Sequence, residues 1–126
     1  KSIKYLGLGK KIPLHNNGTP IRNWLHAQDT ADATIRIIES GVNNEIYNIA
    51  GGFEQSNLDI VSKIITLCTN SQNVEKYLDF SYSRVGQDVR YALNDDKLRN
   101  IGWSPKKVFD EELPEIVKYY KENFIW

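Results

Sequence analysis

The sequence predicts an α/β domain of few short strands with flanking helices, and three observations carry that prediction. Stretches that alternate in hydrophobicity, 21–26 and 45–50, stand between stretches with the apolar spacing of a helix, 56–68 and 110–123. Turns rich in glycine, asparagine and proline separate them. The length of 126 residues, 40% hydrophobic and 25% charged, suits one globular domain or a piece of a larger one.

Each element has a local reason. Ile3, Leu6 and Leu8 sit on a helical spacing that Gly9 ends. Residues 12–15 are expected to be extended, at an edge because Pro13 cannot donate to a ladder. Asn16-Asn17-Gly18 is a turn signal, and 21–26 reads as a strand with Ile21, Asn23 and Leu25 on one side and Arg22, Trp24 and His26 on the other. Asp29 or Thr30 is the expected cap of the next helix, Ala31, Ile35 and Ile38 its apolar stripe, and Gly41 its stop. A second strand is expected over 45–50, closed by Gly51-Gly52. Ser56-x-x-Asp59 opens a helix whose stripe is Leu58, Val61, Ile65 and Cys68. Residues 77–82 and 89–93 read as extended, with a polar loop over 84–88 between them. A short helix over 95–100 ends at Gly102. The last helix covers 110–123, with Leu113, Ile116, Val117, Tyr120 and Phe124 on one face and Pro114 in its first turn.

Composition excludes several functions. Lysine plus arginine equal aspartate plus glutamate at 16 each, so no global field favours nucleic acid or an anionic membrane. Cys68 is the only cysteine, which rules out an internal disulfide and gives too little sulfur for a zinc site. No apolar run reaches the roughly 20 residues of a membrane span, and the N-terminus lacks the apolar core of a signal peptide. The chain opens on Lys1 and contains no methionine, as expected of an internal piece of a longer protein. A cytoplasmic location fits these features.

The residues that suggest chemistry are few. Arg22 lies beside Trp24, after a glycine turn and before a helix start, and a guanidinium can grip phosphate oxygens in pairs. An arginine in a surface ion pair would show the same pattern. Arg84 sits in the Ser-Arg-Val-Gly-Gln-Asp loop, where ligand binding and plain solvation are equal alternatives. Asp88 and Arg90 could pair on the surface. Asn48 ends the 45–50 strand at the edge that ligands favour in α/β folds; satisfying loop backbone groups is the plainer role. His15 and His26 do not form a metal pair. The chain has no G-x-G-x-x-G, and no tyrosine is followed four residues later by lysine.

Five motifs in order resemble the dTDP-glucose 4,6-dehydratase family of extended short-chain dehydrogenases/reductases. They are Gly9-Lys-Lys-Ile-Pro-Leu-His15, Ile21-Arg-Asn-Trp-Leu-His26, Glu45-Ile-Tyr-Asn-Ile-Ala-Gly-Gly52, Ser83-Arg-Val-Gly-Gln-Asp-Val-Arg-Tyr-Ala92 and Ile101-Gly-Trp-Ser-Pro105. The resemblance implies that residues 1–126 are the C-terminal, substrate-binding domain of such an enzyme, without its Rossmann domain. By position, Arg22 and Arg84 would hold a pyrophosphate, with Asn48 a further phosphate contact. Pro13, Leu14 and His15 would line the base pocket, and Gln87 stands where the family has a histidine that reaches the diphosphate. His15 replaces a tyrosine, Asn23 an aspartate and Val85 a proline.

The resemblance further implies NAD, bound by the missing N-terminal domain, together with a catalytic Tyr-x-x-x-Lys pair located there. The reaction would be dehydration of a dTDP- or UDP-linked glucose to the 4-keto-6-deoxy sugar, in a homodimer. A UDP-sugar 4-epimerase or decarboxylase of the same superfamily would use Arg22 and Arg84 alike. A non-catalytic nucleotide-sugar-binding module is the third reading.

Overall fold

Helix α3 (Asn57–Thr69) is the element on which the others converge. Helices α1 (Ser2–Gly7) and α5 (Phe109–Glu122), strand β3 (Glu54–Ser56) and the turn His15–Gly18 all pack against it. The computed structural model describes residues 1–123. The expected capping residue opens α3: Ser56 Oγ accepts the Asp59 N–H at 3.0 Å and donates to the Asp59 carboxylate at 2.6 Å. Such a cap contributes about 1 kcal/mol by satisfying a donor that has no partner within the helix. Asn70 closes the helix in the left-handed conformation, φ 55°. Cys68 is half-buried, as a small core residue should be; burial pushes its thiol up and Lys121 pulls it partly back.

One core lies under α3. Strand β1 (Ile12–Pro13) pairs in parallel with β4 (Leu78–Asp79), setting Ile12 opposite Leu78. Ile12, Leu14, Val61, Ile65 and Leu78 form a buried cluster, flanked by Tyr5 and Leu6 of α1. Each such side chain gains roughly 1.5–3 kcal/mol by leaving water. Pro13 is in a two-stranded pair, so its missing N–H costs nothing there.

The second core departs from the sequence reading. Strand β2 (Ile21–Asn23) pairs antiparallel with β3, Arg22 opposite Gln55, and stops three residues short of His26. His26 instead caps α2 (Ala27–Ser40), its Nδ1 accepting the Gln28 N–H at 3.0 Å; neither Asp29 nor Thr30 is the cap. Asp29 is only 1% exposed. Its carboxylate accepts the Lys106 and Lys107 N–H groups at 2.9 and 3.1 Å, while the Trp103 indole donates to its carbonyl at 3.1 Å. These bonds turn Asp29 and Ala33 inward, where Ala33 packs with Leu98 and Trp103. The expected stripe therefore faces outward, with Ile35 52% and Ile38 79% exposed.

Three expected strands are absent or shortened. Residues 45–50 form no strand, and Ile46 is 84% exposed. Only the two-residue β4, after a 3-10 turn at Glu75–Tyr77, remains of 77–82. The 89–93 stretch is reduced to a bridge between Ile21 and Arg90. A strand needs a hydrogen-bonded neighbour, and residues 45–50 have no ladder among the described residues. Helix α4 (Asp96–Asn100) lies at the expected place. In α5, Leu113 and Val117 are buried as expected, but Pro114 is the sixth residue, one turn further in than the sequence reading had it. Phe124 lies outside the described residues.

Candidate anion-binding site

Strand β2 presents Arg22 beside the 88–91 segment. Ile21 donates its N–H to the Val89 carbonyl at 2.8 Å and accepts from Tyr91 at 3.1 Å, so this segment runs along β2. The Arg22 guanidinium donates to the Ile21 carbonyl at 2.6 Å and the Asp88 carbonyl at 3.1 Å, and lies 4.6 Å from the centre of the Tyr91 ring. Tyr91, rather than Trp24, is thus the aromatic partner of Arg22; the Trp24 indole donates to the Gln55 carbonyl. A hydrogen bond to Asp88 pushes the Tyr91 phenol up, while Arg22 and Arg84 both pull it down. Among the described residues, neither is within salt-bridge distance of a carboxylate. The expected Asp88–Arg90 pair is not formed, because Arg90 binds Glu54 at 2.7 Å.

The loop carrying Arg84 is tied to the turn after β1. Asn16 Nδ2 donates to the Arg84 carbonyl at 3.1 Å, and Asn16 Oδ1 accepts the Arg84 N–H at 2.8 Å. Beside this link, Pro13, Leu14, His15 and Gln87 line one cleft of about 220 Å³ together with Tyr5, Trp24 and Asn57. The structure thus brings together four of the residues assigned to base and diphosphate recognition. The His15 ring meets Tyr82 edge-on at 5.7 Å. Gln87 Oε1 is buried without a hydrogen-bond partner among the described residues, leaving an acceptor in this cleft.

Asn48 joins a different arrangement: its side chain donates to the Asn94 carbonyl at 3.1 Å. The adjacent Gly51-Gly52 turn, at φ 78° and 81°, is occupied by protein groups. Asp95 accepts the Gly51 N–H at 2.8 Å and the Arg99 Nε at 2.7 Å. Burial pushes the Asp95 carboxyl up, but Arg99 and the Gly51 and Ala50 N–H groups outweigh it and hold the group below its ordinary 3.8.

Sequence reasoning missed Asn16, Asp88 and Tyr91. Tyr91 stood in the 83–92 motif without a reason to single it out, and Asn16 read only as a turn residue. Among the described residues, no three His, Cys, Asp or Glu side chains gather as for a metal, and no helix is long and apolar enough to cross a membrane.

Comparison with known proteins gives the chain's relatives. Residues 2–116 match the family described as GDP-mannose 4,6 dehydratase. The dTDP-D-glucose 4,6-dehydratase of Bos taurus is 34% identical over 127 residues, spanning 98% of this chain and 36% of that protein. The dTDP-glucose 4,6-dehydratase of Bacillus anthracis, solved in complex with NAD, superposes with a TM-score of 0.85 at 35% identity, over 97% of this chain and 38% of that one. The enzyme of that name from Streptomyces venezuelae, solved with NAD and TYD bound, gives a TM-score of 0.88 at 28% identity, over 97% and 37%. The chain spans a little over a third of the length of these relatives. It belongs to the GDP-mannose 4,6-dehydratase family, among the extended short-chain dehydrogenases/reductases.

Proposed function

We propose that this chain holds the nucleoside diphosphate of a nucleotide sugar as the C-terminal, substrate-binding part of an NAD-dependent dTDP-glucose 4,6-dehydratase. The observation that carries this is the pair Arg22 and Arg84. Neither has a carboxylate within salt-bridge distance among the described residues; Arg22 lies over the Tyr91 ring, and Arg84 is tied to Asn16, the neighbour of His15 in the cleft of Pro13, Leu14, His15 and Gln87. Two unpaired guanidiniums next to a partly apolar cleft suit a diphosphate joined to a base: charge-assisted bonds grip the phosphates while the flat base covers Leu14 and the His15 ring. Gln87 Oε1, left without a partner, would accept a base or sugar hydrogen.

In this reading the chain binds and orients substrate and does not perform the redox step. No glycine-rich dinucleotide loop and no Tyr-x-x-x-Lys pair occurs in its sequence, so its own residues do not fit NAD. NAD would be held by the part of the protein that the relatives carry beyond this stretch and would supply hydride acceptance and return there. Ile35 and Ile38 on α2, one turn apart, are exposed apolar side chains suited to covering by that part.

Titration calorimetry with dTDP and UDP tests the proposal. The chain is expected to bind both, and Arg22→Ala to weaken binding by roughly 1.5–3 kcal/mol, the scale of a hydrogen bond to a charged group. Equal affinity in the variant would make Arg22 a bystander and sink the assignment.

A further inference from the structure

We infer that Asn16 is a positioning residue that pre-orients Arg84 for the diphosphate. The inference rests on the reading of Arg84 given above and adds to it a residue outside the expected site set. The side-chain amide of Asn16 binds both backbone polar groups of Arg84, one as donor and one as acceptor, across 68 residues of sequence. A two-point link of this kind fixes the backbone at residue 84, and with it the direction in which the arginine leaves the chain. The Asn16 N–H adds a third tie, to the Tyr82 carbonyl at 3.1 Å.

The anchor is itself held. Asn16 sits at φ 50°, ψ 45°, a left-handed conformation that asparagine tolerates better than most residues. Its carbonyl accepts the Thr19 N–H at 3.1 Å and the Thr19 hydroxyl at 2.9 Å. Two residues on, Gly18 lies so close to α3 that an added Cβ would stand 2.9 Å from Leu58 Cβ. A rigid path thus runs from α3 through the turn to Asn16 and on to Arg84. Beyond it Val85 is almost fully exposed, and the chain is next tied to β2 at Asp88 and Val89.

The chemistry selects an amide. Asparagine carries its donor and its acceptor on two separate atoms, whereas a serine or threonine hydroxyl has both on one oxygen; an aspartate would set an oxygen against the Arg84 carbonyl. A loop left untethered at residue 84 must have its backbone ordered when ligand binds, at a cost to affinity. Asn16 moves that ordering into the folded state.

The experiment compares four versions of this chain: wild type, Asn16→Gly, Arg84→Ala and the double variant. Glycine accepts the left-handed backbone, so Asn16→Gly removes the clamp without straining the turn. Thermal melting checks that each chain is folded, and calorimetry measures dTDP and UDP affinity. Asn16→Gly is expected to weaken both nucleotides roughly 3- to 10-fold, to speed amide exchange at Arg84, and to add no further loss once Arg84 is alanine. The same loss with and without Arg84 would mean a general structural effect and would overturn the inference. Affinity that falls in Arg84→Ala but stays unchanged in Asn16→Gly would overturn it while leaving the diphosphate reading intact. A folded wild type that binds neither nucleotide would remove both.

Discussion

Arg99 and the pair Arg22–Arg84 are the same residue type in two opposed settings. Arg99 faces Asp95, whose carboxylate is buried, and a third hydrogen bond reaches the Gly51 carbonyl at 3.3 Å. Its charge is spent inside the fold, holding the Gly51-Gly52 turn to α4. Arg22 meets only carbonyls and the face of Tyr91, and Arg84 stands exposed on a loop. The difference separates an arginine whose charge the fold uses from ones whose charge it leaves uncommitted. What tells them apart is the partner, which sequence position does not reveal.

Mutations on the two sides should break in opposite ways. Asp95→Ala has the largest expected effect on the fold, because it strands the Gly51 N–H and the Arg99 guanidinium together. A loss of roughly 2–3 kcal/mol in denaturant-measured stability is expected. Arg22→Ala should reverse the pattern, with stability within about 0.5 kcal/mol of wild type and nucleotide affinity reduced. A variant that lost both equally would erase the distinction.

Acid sharpens the comparison further. The Asp95 carboxyl is held below 3.8 in the folded chain, so its contribution is present above the unfolded value and is lost as pH falls through the folded one. Stability should therefore drop below about pH 4, and Asp95→Asn should flatten that limb in pH-dependent melts. Lys97→Ala sits at the small end. Its ion pair with Glu45 has both side chains about half exposed, so less than about 1 kcal/mol should change in the same assay.

Much of the fold was readable from local rules. Ser56 and Asp59 announce the start of α3, Asn16-Asn17-Gly18 announces a turn, and Leu113 and Val117 mark the buried face of α5. The candidate site was readable in part. Arg22, Arg84 and the Pro13–Leu14–His15–Gln87 set follow from the motifs, and the structure draws the latter four into one cleft. Asn48 was assigned to the same site, and its side chain donates to the Asn94 carbonyl. Tyr91 and Asn16 escaped notice because their roles depend on contacts with residues roughly 70 positions away.

The sequence by itself determined where α3 begins, where the chain turns and which residue types can meet a diphosphate, since the Ser56 cap, left-handed turns and guanidinium chemistry are local properties. Tertiary structure decided the rest. The apolar spacing of α2 permits more than one inward face; the two amides and the indole that seize Asp29 select the one that leaves Ile35 and Ile38 outside. Residues 45–50 alternate like a strand, but a strand exists only when a second chain segment satisfies its backbone. Whether an arginine is spent or free likewise depends on where the nearest carboxylate comes to rest, and only the folded chain sets that distance.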